Sequence, residues 1–81
     1  MGGRLRRQFG EQLRRIRLQR QLTQEQFAES VGISVDFLSL IERGINSPSF
    51  EKLEQIASCL GVPVAVLFTF TEDNQPKRRR V

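Results

Sequence analysis

The chain has 81 residues, 38% of them hydrophobic and 27% charged, with a formal net charge of +4. One cysteine and no histidine exclude an internal disulfide, a zinc site and His-based catalysis. The longest apolar run, Val62 to Phe68 with Pro63 inside it, is far short of the roughly 20 residues of a membrane span.

The length is expected to hold one domain with a small helical core, marginal enough for oligomerisation to supplement it. No apolar stretch follows the early arginines, so no secretory signal is expected. A reducing, cytoplasmic setting is the expectation. The charge is unevenly spread. Residues 1–20 carry seven arginines against Glu11, a net +6. Residues 21–76 carry two cations against eight acids, a net −6, and Lys77, Arg78, Arg79 and Arg80 add +4. An acidic body between basic ends fits a polyanionic partner, either nucleic acid or an anionic surface. Terminal arginines that serve only solubility would give the same pattern.

Phe9, Leu13 and Ile16 recur at i, i+4, i+7, which predicts a first helix from about Phe9 to Arg20. Thr23 and Gln26 form a capping box that opens a second helix with Phe27, Ala28 and Val31 on one face. Gly32 is its stop. Ser34 is the next N-cap, and Leu38 and Ile41 mark the inward face of a third helix ending at Gly44. Two short helices joined by Gly32 and Ile33 read as a helix-turn-helix. Ser49 caps a fourth helix with Leu53, Ile56, Ala57 and Leu60 as its stripe and Gly61 as its stop. Pro63 is expected in the first turn of a short fifth helix that buries Leu67 or Phe68. Thr69-Phe70-Thr71 alternates weakly and reads as a short strand or a frayed end. The expected fold is all-α, a compact five-helix domain over residues 9–70. A basic N-terminal arm (1–8) precedes it, and a basic flexible tail (71–81) follows.

The span from about Phe9 to Phe68 resembles the phage-repressor and Cro type of helix-turn-helix domain, the XRE-like family. The matching stretches are LTQEQFAESVGIS, FLSLIERG and NSPSFEKLEQIASCLGV. The resemblance implies a lambda-repressor-like fold that binds double-stranded operator DNA, usually as a homodimer and as a transcriptional regulator. It places base-reading positions at Val35, Asp36, Phe37 and Leu40, with Ser39 at the margin. Phosphate contacts are expected from Gln24, Ser34, Arg43, Asn46 and Ser47. Arg4, Arg6 and Arg7 are candidate arm contacts. By the same resemblance Arg17 and Glu42 form a structural ion pair. Val64, Leu67, Phe68 and Phe70 are dimer-interface candidates, with intramolecular core as their other reading.

Several of these positions have a physical reading of their own. Gln24 lies in the first turn of its helix, where side chain and backbone amides suit a phosphate. Val35 and Leu40 suit thymine methyl groups. Asp36 suits a cytosine amino group, or simply the positive end of the helix dipole. Cys59 lies off the centre of its stripe with no cationic neighbour in sequence, so an inert, partly exposed thiol is expected.

A repressor that acts by promoter occlusion is the leading expectation. The alternative is a protein-interaction module, such as an antitoxin or regulatory subunit, docking through Val35, Phe37 and Leu40. No nucleophile–base pair, metal-ligand set or phosphate-cradling glycine loop is visible, so no enzyme, cofactor or small-molecule ligand is expected.

Overall fold

The computed structural model describes residues 3–70. The elements are α1 (Gly3–Gln19), α2 (Gln24–Val31), α3 (Val35–Glu42), α4 (Phe50–Leu60) and a 3-10 segment, Val64–Phe68. No strand occurs among the described residues, and the fold is all-α.

Two boundaries differ from the sequence reading. First, α1 begins at Gly3, not near Phe9. Residues 3–8 are therefore helix rather than an arm, and Arg4, Arg6 and Arg7 ride on it. Apolar periodicity marks only a buried face, and these turns add one apolar residue, Leu5, to the stripe. Their arginines, leucine and glutamine are nevertheless good helix formers. Second, the fifth element is a 3-10 segment and Pro63 stands just before it as its cap. Its bonds run from Val66 N–H to Pro63 O (3.0 Å) and from Thr69 N–H to Val66 O (3.2 Å). Five residues containing two β-branched valines leave little room for an α-helix. Thr69 and Phe70 are irregular rather than strand. Thr71 and the tail cations Lys77 to Arg80 lie outside the described residues.

Local caps set the helix-turn-helix. The Thr23 hydroxyl accepts from Gln26 N–H and the Gln26 side chain accepts from Thr23 N–H, both near 3.0 Å. Gly32 and Ile33 N–H both donate to Ala28 O, closing α2. Ser34 Oγ then accepts from Phe37 N–H at 3.0 Å and opens α3. The turn between the helices is thus only Gly32, Ile33 and Ser34.

The core takes Phe9, Leu13 and Ile16 from α1, Phe27, Ala28 and Val31 from α2, and Leu38 and Ile41 from α3. From α4 come Leu53, Ile56, Ala57 and Leu60, and from the 3-10 segment Leu67. Each large side chain so buried contributes about 1.5–3 kcal/mol before entropy is set against it. Leu67 is fully buried. Of the two readings the sequence allows it, core and dimer interface, it is core within the chain and has no surface left for a dimer contact.

Two glycines bring α1 against the end of α3. A Cβ on Gly10 would run into the Ile41 and Glu42 carbonyl groups, the latter at 2.7 Å. A Cβ on Gly44 would lie 2.6 Å from Arg7 Cγ and 2.8 Å from its Cα, and Gly44 has φ +80°. Backbone therefore packs on backbone here, and the start of α1 is pinned to the loop that follows α3.

Candidate nucleic-acid interface

With Leu38, Ile41 and Glu42 turned inward, helical spacing puts Asp36, Leu40 and Arg43 on one outward ridge at i, i+4, i+7. Asp36 and Arg43 are exposed and Leu40 is half-buried. Val35 and Phe37 flank the buried stripe and pack partly against the core. The four base-reading candidates thus divide: Asp36 and Leu40 stand outward, while Val35 and Phe37 are shared with the interior. Ser34 is exposed, with its hydroxyl engaged as the N-cap.

Behind α3 the loop is held from below. Arg6 Nη1 donates to Ile45 O at 3.3 Å, and the Arg7 stem lies on Gly44. Ile45 and Asn46 N–H both donate to Leu40 O. Asn46 is half-buried and Ser47 exposed. The result gathers Arg6, Arg7 and Arg43 around one loop, all exposed, with Arg4 exposed one turn further along α1. The ridge carries one cation, Arg43, against Asp36, and the other arginines sit beside it.

Beneath the ridge lies a buried polar junction. Arg17 Nε donates to Glu42 Oε2 at 2.7 Å and Arg17 Nη2 to Glu42 Oε1 at 3.1 Å. Arg17 Nη1 also donates to Leu22 O at 2.7 Å. Gln24 Nε2 donates to the same Glu42 Oε1 at 3.0 Å. The two charged side chains are 6% and 2% exposed. Three helices meet at this one carboxylate, and each charge is paired and hydrogen-bonded, the condition under which burial is tolerable.

On the far side, Phe68 stacks on Phe9 with ring centroids 5.1 Å apart, and Phe70 meets Phe68 edge-on at 6.3 Å. Gln12 Nε2 donates to both Val66 O and Thr69 O at 3.0 Å, fastening the 3-10 segment to α1. Phe50 is 83% exposed and Leu5 56%. They flank an open apolar groove of about 380 Å³, also lined by Phe9, Pro48 and Phe68. Cys59 is exposed, with Sγ 3.3 Å from Ser30 O.

Sequence reasoning passed over Gly10, Gln12, Leu5 and Phe50. Gln12 had a signal: it lies within the Phe9–Leu13–Ile16 stripe, and a polar side chain on a buried face needs a partner. Gly10 inside a helical pattern was another such sign.

Two short capped helices at a glycine turn, the second with an outward ridge, define a helix-turn-helix domain. The chain belongs to the helix-turn-helix family HTH_3, whose model matches residues 13–67, in agreement with the resemblance read from the sequence. It is 35% identical over 66 residues to the cryptic phage CTXphi transcriptional repressor RstR of Vibrio cholerae, a match covering 82% of this chain and 60% of that one. It is 40% identical over 58 residues to the immunity repressor protein of Bacillus phage phi105, covering 72% of this chain and 40% of the relative. The chain therefore spans less than two thirds of either curated relative. Among solved structures, the restriction-modification controller protein C.AhdI from Aeromonas hydrophila superposes with a TM-score of 0.75 at 28% identity. That match covers 78% of this chain and 96% of the other.

Proposed function

We propose that this protein is a sequence-specific double-stranded DNA-binding transcriptional regulator, a homodimeric repressor that acts in the cytoplasm by occluding a promoter. The observation that carries the reading is the ridge Asp36–Leu40–Arg43, outward on α3 and bordered by the α1 arginines and Gln24. The three groups divide the work. Arg43 and the arginines at positions 4, 6 and 7 supply attraction to phosphates, with Gln24, Asn46 and Ser47 as neutral backbone contacts. Asp36 and Leu40 read base edges, a cytosine amino group and a thymine methyl being the matching chemistries. Val35 and Phe37 add apolar contact at the margins. With so few base-reading groups, DNA shape contributes to selectivity.

Duplex affinity should then fall steeply with salt. A dimer that neutralises about six phosphates loses about 10³-fold between 50 and 200 mM salt. Anisotropy titration of a duplex selected from random sequence checks this. No duplex affinity at low salt, or affinity indifferent to salt, would replace the reading with a protein-docking module. The geometry disfavours that module, because two of its three docking residues, Val35 and Phe37, pack partly against the core.

Phe50, Val64, Phe68 and Phe70, with Leu5 at the edge, are the proposed dimer face. An aromatic ring 83% exposed beside a groove of matching apolar lining suits a self-complementary two-fold contact. Such a pair would read half-sites about one helical turn, roughly 34 Å, apart. Phe50→Ser is expected to shift the solution mass from dimer to monomer and to abolish the dependence of the melting temperature on protein concentration. Light scattering reads the mass and calorimetry the melting. A dimer that survives the substitution removes Phe50 from the interface.

A further inference from the structure

We infer that Glu42 is a positioning residue for DNA-backbone contact, because its carboxylate holds the Gln24 amide ready for a phosphate. This rests on the reading of Gln24 as a phosphate ligand given above. Gln24 is the first residue of α2 and half-buried. Its Nε2 donates one hydrogen to Glu42 Oε1 at 3.0 Å. A side-chain amide carries two such hydrogens, and among the described residues no other hydrogen bond engages this amide. The second hydrogen is directed away from the carboxylate. Nearby, the capping box takes up the Thr23 and Gln26 N–H groups, while Gln24 and Glu25 N–H stand at the open start of the helix.

Glutamine has long, rotamer-rich geometry, and ordering it on binding opposes affinity. Here the ordering is done during folding. Glu42 is itself buried and bound, since two Arg17 donors bond both its oxygens and its side chain is 2% exposed. Arg17 in turn is held by Leu22 O, two residues before Gln24. Arg17, Glu42 and Gln24 thus form a chain from the last turn of α1 to the start of α2, ending in one presented N–H. Gln24 would touch the phosphate; Glu42 acts through it.

A double-mutant cycle on duplex affinity tests the proposal. Gln24→Ala should weaken binding about fivefold, the contribution of one net hydrogen bond, on selected and random duplexes alike. The second background is the paired apolar replacement R17M/E42L, which strands neither charge and is checked for folding by circular dichroism. It should itself bind about fivefold more weakly than wild type, and adding Gln24→Ala there should change affinity less than twofold. The proposal is overturned if Gln24→Ala leaves wild-type affinity intact, or if its fivefold loss persists in the apolar background, which is what a purely structural carboxylate gives. If the wild-type chain binds no duplex at all, the DNA reading itself falls. That result differs from either failure of the cycle, in which the duplex is bound.

Discussion

Arg17→Met is expected to destabilise the domain by about 3–5 kcal/mol, the usual effect of leaving one member of a buried ion pair alone. Three hydrogen bonds disappear together: two to Glu42 and one to Leu22 O. Gln24 is then the remaining donor to a carboxylate that water cannot reach. Methionine fills much of the volume, so the loss is electrostatic more than steric. The double replacement R17M/E42L removes both charges and should recover most of that stability, because the desolvation of each ion is relieved along with their attraction. Urea denaturation of the wild type, both single variants and the double variant closes the cycle. Additive losses, with the double variant about as unstable as the sum of the two singles, would show that the two side chains do not act as a pair.

Gly10→Ala gives the second large effect, a net loss of about 1–3 kcal/mol from overpacking. On helix propensity alone the change would stabilise α1 by up to about 1 kcal/mol. Contact decides against it. The new methyl meets the carbonyls of Ile41 and Glu42, which are backbone atoms at the end of a helix and have nowhere to retreat. Either α1 lifts away or the end of α3 shifts. At about 4–8 °C per kcal/mol for a domain of this size, the melting temperature should drop by roughly 4 °C or more, and a rise would refute the close approach. Duplex affinity measured well below the melting point should fall as well, since the displaced segment leads directly into the Arg43–Ser47 loop.

Local chemistry was the legible part of this chain. Thr23 with Gln26, Ser34, Ser49, Gly32 and Gly61 each announce a helix end, because a cap is an interaction among residues a few positions apart. The all-α fold and the core stripe of α4 follow from the same short-range logic. Long-range facts were not legible. Nothing near Arg17 indicates that its partner stands 25 residues away; only likeness to a known family pointed there. The early turns of α1 are mostly exposed and extend the apolar stripe by Leu5 alone, which is too little to announce a helix. Whether Val35 and Phe37 face solvent or core depends on how α3 is rotated, and neighbours far along the chain decide that. Leu67 carries two readings in the sequence, core or seam, for the same reason: an apolar residue near the end of a chain reads alike whether it meets its own core or another molecule, and the structure gives core.

The position of α1 has a mechanical consequence. One flank of this helix touches the end of α3 through Gly10, Arg17 and Arg7, while Gln12 and Phe9 fasten the 3-10 segment. A single helix therefore links the end of α3 to the aromatic patch. Any partner seated on that patch would set the angle at which α3 is presented, with no hinge between them to absorb an error. In a paired molecule, tolerance for operators of the wrong length would have to come from bending of the double helix.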